Sequence, residues 1–372
     1  MIGQYRLAGG IAAILLAALT PLSQASAKQI VEVAFVLDTT GSMGPLIEGA
    51  KKKIWSIATA ILDANPDAEI RMGLVAYRDI GDDYVTKRFD LTTDIQDLYA
   101  RLLELQAQGG GDWPESVNEA LDQAVNRLDW TRGDATSRIL FLVGDAPPHM
   151  DYAQDTKYPQ TIQVARQKDI IVNTVLAGSA RDTERVWREI AQRGNGSFLP
   201  IPQDGGEIVV IETPYDDDII ILQKSINKTV MPYGPPPMQR QVEGKIGQLA
   251  SAAPTSASDM ASFINKRAKA SNEAVTGDGD LVADYASGRA QLDAIRDDEL
   301  PPAIRALPKP QRGAVIERQA GERKALNGML SELVAKRDAY IADRRAANKV
   351  RSRTASSFDQ AVEATLQAQI KK

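Results

Sequence analysis

Read for its alternation of apolar and polar positions, the chain from Lys28 to Gly234 divides into short β-branched apolar runs separated by stretches of helical periodicity. The runs Ile30–Leu37, Ile70–Tyr77, Ile139–Val143 and Ile170–Leu176 are apolar almost throughout, the pattern of strands covered by helices on both faces. Val85–Leu91 follows the polar turn Gly81-Asp82-Asp83 and is expected to pair antiparallel with Ile70–Tyr77. Ser197–Ile201 and Ile208–Ile211 are candidates for the far edge. Leu46, Ile47, Ile54, Ile57, Ile61 and Leu62 recur near 3.6 residues, which predicts a helix over Pro45–Asn65 stopped by Pro66. Thr93 or Asp94 is placed to cap a helix through Leu105, Pro114 to open one reaching Leu128, and Thr183 to cap Glu184–Gln192. Tyr215–Val230 reads as the closing helix, with Asp216, Asp217 and Asp218 complementing its positive end. The whole is a doubly wound α/β fold with a mostly parallel sheet and one antiparallel edge strand.

After Pro232–Pro237 the strand-like runs vanish and Ala, Arg, Lys, Glu and Gln dominate, so a mainly α-helical C-terminal region is expected. Leu300–Pro310 separates a loosely patterned stretch from a long helix over about Gln311–Asn348. That helix carries Leu326, Leu330, Leu333, Val334, Arg337 and Ile341 on one stripe, suited to docking on a neighbouring helix, on a partner or on a second copy. A last helix, Ser357–Ile370, aligns Phe358, Val362 and Leu366, and Lys349–Arg353 forms a basic cluster read as a solvated face. The regions are therefore 1–27, 28–234, 235–310 and 311–372.

The first of these regions, with Arg6 as its only charge, an apolar stretch from Leu7 to about Leu22 and Ala25-Ser26-Ala27 at its end, has the layout of a cleavable signal peptide. It predicts a periplasmic or secreted protein beginning at Lys28 with no transmembrane anchor after cleavage. Composition then narrows the chemistry. With no cysteine and one histidine, thiol catalysis, disulfide scaffolds and multi-histidine metal centres are excluded, so any metal is expected to be held by oxygen. A net charge of −5 gives no basic face for a nucleic acid.

Oxygen donors gather where such a sheet binds ligands. Asp38 ends the first strand in Asp38-Thr39-Thr40-Gly41-Ser42-Met43, and with hydroxyls two and four residues on it presents three donors to one concavity. Asp145 ends a second strand in Gly144-Asp145-Ala146-Pro147-Pro148-His149, and Gly109-Gly110-Gly111-Asp112-Trp113-Pro114-Glu115 brings acids on a permissive loop. Asp38, Thr40, Ser42, Asp112 and Asp145 are expected to converge on one divalent cation, Mg²⁺ first, with Ca²⁺ and Mn²⁺ open.

These motifs, together with Ala76-Tyr77-Arg78-Asp79, resemble the von Willebrand factor type A (vWA) domain over about Gln29–Gly234, in particular its bacterial secreted branch. That family's metal-ion-dependent adhesion site uses Asp-x-Ser-x-Ser, a loop threonine and a loop aspartate. The resemblance assigns Asp38, Thr40 and Ser42 to the first loop and Asp145 to the third. The middle loop departs from the pattern, with Asp112 or Glu115 where the family has threonine. An extra carboxylate there weakens the ion's pull on a partner's acidic side chain. Arg78 and Asp79 are placed on the rim, read as a mutual salt bridge. His149 is read as a packing residue or outer partner of the site, and Trp113 and Tyr84 as aromatic anchors or packed residues. The resemblance implies a protein-binding or envelope-binding module. The alternatives are a hydrolase using the same carboxylates with His149 as acid or base, and a scaffold whose function lies in the helical tail. The absence of a nucleophile–base set argues against an enzyme.

Overall fold

The structure, a computed structural model, describes residues 29–205, 211–349 and 358–370. The expected leader Met1–Ala27, most of the run Ile208–Ile211 and most of the cluster Lys349–Arg353 lie outside the described residues. Six strands form one sheet in the order β3-β2-β1-β4-β5-β6. They are β1 (Ile30–Asp38), β2 (Glu69–Tyr77), β3 (Thr86–Thr92), β4 (Thr136–Gly144), β5 (Ile170–Ala177) and β6 (Asn195–Ile201). All neighbours are parallel except β3, which runs antiparallel to β2 with Thr86 opposite Tyr77. The chain leaves β1 toward β2 on one side and returns to β4 on the other. The ends of β1 and β4 therefore flank the crevice where strand order reverses.

Side chains alternate across the sheet with the two-residue period of a strand. Val31, Val33 and Leu37 face one layer, built from α1 (Gly44–Ala64) and α2 (Ile95–Glu104). Ala34 and Val36 face the other, built from α3 (Val117–Asp122), α4 (Tyr158–Gln167) and α5 (Arg181–Arg193). Asp94 caps α2 by accepting from the Asp97 backbone N–H. Two sequence expectations are corrected here. Pro114 does not open a helix, because residues 109–116 run as a loop bonded to its neighbours and α3 begins only at Val117. Thr183 does not cap α5; it lies inside the first turn and donates its hydroxyl across to the Asp145 carbonyl at 2.9 Å.

The C-terminal residues fold onto this sheet. After α6 (Asp216–Asn227) and α7 (Pro236–Ser251), α8 (Pro254–Ser271) sets Phe263 against Trp55 with ring centroids 5.6 Å apart. Two short helices, α9 (Leu281–Ala286) and α10 (Pro302–Arg305), lead to the 41-residue α11 (Lys309–Lys349), and α12 (Phe358–Gln369) ends the described chain. The closing helix of the sheet is α12, not Tyr215–Val230. Phe358, Val362 and Leu366 join the α1 core, and Gln369 and Asn173 exchange amide hydrogen bonds at 2.8 and 2.9 Å. Helix α6 instead buries Ile219 and Ile226 with Leu330 and Val334 of α11, so the apolar stripe of the long helix is covered within the chain. Arg337 lies between Asp216 (2.8 Å) and Asp259 (2.6 Å), which gives the first of the three α6 aspartates a specific partner. Among the described residues no helix is long and apolar enough to cross a membrane.

Candidate metal centre

Three loops at the carboxyl ends of β1 and β4 are joined by backbone hydrogen bonds. Gly41 N–H donates to Gly109 O and Gln108 N–H to Thr39 O, both at 3.1 Å. Glu115 N–H donates to Pro147 O and His149 N–H to Glu115 O, both at 3.0 Å. Gly110 sits inside this junction at φ +77°, where a Cβ would stand 2.8 Å from Glu115 Oε1 and 2.9 Å from Thr40 Cβ. Glycine is what allows the loops to meet.

Asp38 is fully buried at the end of β1. Its Oδ1 accepts from Thr40 N–H (2.8 Å) and Thr40 Oγ1 (2.7 Å), while its Oδ2 is buried without a hydrogen-bond partner. The Thr40 hydroxyl lies 3.4 Å from that of Ser42. Asp145 is held by Gln203, whose Nε2 donates to Oδ2 at 2.7 Å. Glu115 is buried beside them with Oε2 unpartnered. Burial and the nearby charge of Asp145 push the Asp38 carboxyl up to about 7. Burial, then the charges of Asp38, Asp79, Asp82 and Asp145, push Glu115 up to about 9. Tyr77, whose hydroxyl points at Val143 O, is held well above its usual value by burial and by the same three acids. Asp38 and Glu115 therefore sense the neighbouring acids across one small volume.

The middle-loop acid of this group is Glu115. Asp112 stands apart from this group: its side chain is 67% exposed, with Oδ2 3.8 Å from His149 Nε2 on the rim. The reason is backbone geometry, because Glu115 is clamped between Pro147 and His149 while Asp112 stays three residues back in the glycine loop. Arg78 and Asp79 do not pair with each other. Arg78 donates to Thr39 O and Gln106 O and lies 4.4 Å from the centre of the Tyr84 ring. Asp79 accepts from Ser116 Oγ and Tyr152 Oη. Tyr84 is packed, its hydroxyl 2.7 Å from Thr39 Oγ1, whereas Trp113 is half exposed and donates to Asp182. Gln203, Tyr77, Asp82 and Tyr152 also shape the site. Of these, only the Asp82 turn carried a local signal.

The family model of the von Willebrand factor A domain matches residues 32–206. Those residues form a von Willebrand factor A domain. Similar curated proteins include von Willebrand factor A domain-containing protein 7 of Rattus norvegicus, 36% identical over 138 residues, which are 31% of this chain and 15% of that protein. Hemicentin-1 of Mus musculus is 32% identical over 192 residues, 48% of this chain and 3% of that protein. Alpha-protein kinase vwkA of Dictyostelium discoideum is 30% identical over 126 residues, 33% of this chain and 19% of that protein. The chain thus spans less than a fifth of the length of these relatives. A crystal structure of an aerotolerance-related membrane protein from Bacteroides fragilis covers 47% of this chain and 92% of its own, at 16% identity and a TM-score of 0.32. Within the von Willebrand factor A domain, Asp38, Asp79, Asp82, Asp112, Glu115 and Asp145 all lie between the end of β1 and the loop that follows β4.

Proposed function

We propose that this von Willebrand factor A domain is a divalent-cation-dependent protein-binding module of a secreted or periplasmic protein, not an enzyme. The carrying observation is the pair of buried, unpartnered carboxylate oxygens, Asp38 Oδ2 and Glu115 Oε2, next to the Thr40 and Ser42 hydroxyls. An all-oxygen set with one or two carboxylates suits Mg²⁺, which keeps several waters, so not every acid has to touch the ion. Asp38, Thr40 and Ser42 would hold it, with Glu115 and Asp145 completing the charge. A Glu115 that retains its proton leaves Asp38 and Asp145 to balance the dication, and the ion keeps a position for a partner's oxygen.

The rim fits a protein or envelope ligand. Ile80, Trp113 and Met150 are about half exposed, each directly following Asp79, Asp112 or His149, and together they offer apolar contact area around the polar centre. The signal-peptide layout of residues 1–27 supports export. No nucleophile stands beside a base here, which favours binding over hydrolysis. Calorimetry with Mg²⁺, Ca²⁺ and Mn²⁺ tests the reading: one site is expected in the wild type and none at this centre in Asp38→Ala. An Asp38→Ala variant that binds Mg²⁺ as the wild type does would overturn it. Partner capture from an envelope extract is expected to be lost with EDTA.

A further inference from the structure

Beside the Asp38 centre, a second set of ligand atoms meets on the same rim. Asp79 Oδ2, Asp112 Oδ2 and His149 Nε2 lie within 4.8 Å of one another, the one such trio of acidic and imidazole groups among the described residues. The His149 side chain is 7% exposed, yet its Nε2 has no hydrogen-bond partner. It stands 3.5 Å from Asp79 Oδ2 and 3.8 Å from Asp112 Oδ2. Both distances exceed a charge-assisted hydrogen bond, which closes to about 2.7–2.9 Å. The edge of a tetrahedron about an ion with bonds of about 2.0–2.1 Å is about 3.4 Å, which the Asp79 distance meets and the Asp112 distance exceeds by a small movement of its loop.

The surroundings are those of a prepared ligand. His149 Nδ1 lies 2.8 Å from Asp151 Oδ1, the carboxylate–imidazole contact that fixes the ring and leaves the Nε2 lone pair to a metal. The ring is stacked on Tyr152 at 3.9 Å and 9°. The Tyr152 hydroxyl in turn donates to Asp79 Oδ2 (2.8 Å), and Ser116 Oγ donates to Asp79 Oδ1 (2.7 Å). Two ligands are thus fixed, and the exposed Asp112 on its glycine loop is free to close on the ion.

We propose that Asp79, Asp112 and His149 form a second metal site, distinct from the Asp38 centre, for a borderline dication of the zinc class. Imidazole with two carboxylates favours Zn²⁺ or Co²⁺ over Mg²⁺ and Ca²⁺, which prefer oxygen alone. Three protein ligands leave a fourth position open to water or to a group from outside the chain.

The test is titration of the metal-stripped full chain with Co²⁺, followed by its visible absorption, and then displacement by Zn²⁺ in the presence of millimolar Mg²⁺. One equivalent with tetrahedral band intensity is expected. Asp112→Ala, which alters only an exposed side chain and spares the fold, is expected to weaken Zn²⁺ binding more than about 100-fold, as is His149→Ala. Asp151→Asn acts one step out and should cost about 10–100-fold. Asp38→Ala removes Mg²⁺ binding and leaves the Co²⁺ spectrum unchanged, which separates failure of this site from failure of the other. The proposal is overturned if Asp112→Ala and His149→Ala bind Zn²⁺ like the wild type, or if Asp38→Ala alone abolishes the Co²⁺ bands.

Discussion

Replacing Asp38 by Asn should stabilise the metal-free protein at neutral pH while abolishing its response to Mg²⁺. The Asp38 carboxyl is raised from 3.8 to about 7 because burial, followed by the charge of Asp145, disfavours its ionised form. A carboxyl whose folded-state value is raised contributes its full stability below the unfolded value. It loses that contribution as pH climbs toward the folded value. At about 1.4 kcal/mol per unit, ionising Asp38 costs the folded state about 4 kcal/mol by pH 7, an upper figure because water admitted to the site lowers it. Asparagine keeps the acceptor for Thr40 N–H and Thr40 Oγ1 and places an amide where Oδ2 has no partner. Whatever that amide costs is independent of pH, so the diagnostic quantity is the change in the gap between variant and wild type. Urea unfolding in EDTA from pH 4 to pH 8 should show the gap widening in the variant's favour by up to about 4 kcal/mol. Adding Mg²⁺ at about 100 times its dissociation constant should return about 2.7 kcal/mol to the wild type and nothing to the variant. Parallel pH curves would refute the claim that Asp38 is buried and charged without compensation. Mg²⁺ stabilisation of the variant would refute its role as a ligand.

Gly110→Ala should weaken Mg²⁺ binding in calorimetry and destabilise the fold by more than about 1 kcal/mol, because φ +77° is strained for alanine and the new methyl meets Glu115 and Thr40. Leu366→Ala, at a fully buried position of α12, should lower the unfolding free energy of the whole sheet by about 2–5 kcal/mol in denaturant titration. An unchanged main transition would show that α12 is not part of that core. Arg323→Ala should cost about 3–5 kcal/mol, because it strands the buried Asp280 that the guanidinium pairs with. The double variant Arg323→Met with Asp280→Leu should recover most of that loss in the same unfolding assay.

The α/β layers were legible because each buried strand is an unbroken apolar run and each helix keeps a 3.6-residue stripe, signals that local residues carry by themselves. The hairpin from β2 to β3 was legible from the Gly81-Asp82-Asp83 turn. The identity of the closing helix was not. Tyr215–Val230 and Phe358–Ile370 both carry apolar faces, and the choice between them depends on which face meets Phe35, a contact spanning more than three hundred positions. The site divides the same way. Asp38, Thr40 and Asp145 were legible because a strand end fixes where they point. Asp112 and Glu115 share one loop, and only the backbone bonds to Pro147 and His149 decide which of them turns inward. Arg78 and Asp79 are adjacent in sequence and point to different neighbours, a separation that periodicity does not encode.

The treatment of buried acids elsewhere in the chain shows why those at the Asp38 centre are a site. Glu32 is paired with Arg71, Asp216 with Arg337 and Asp280 with Arg323, all with the acid buried. Removing a carboxylate from water is costly, and these three acids each receive a fixed cation from the same polypeptide. Asp38, Glu115 and Asp145 are buried to the same degree, yet among the described residues no Lys or Arg pairs with any of them. Arg78, which directly follows the end of β2, is turned to the backbone of Thr39 and Gln106 and to Asp83. Without a cation from the chain, these three acids share a volume where positive charge from outside the chain is stabilised.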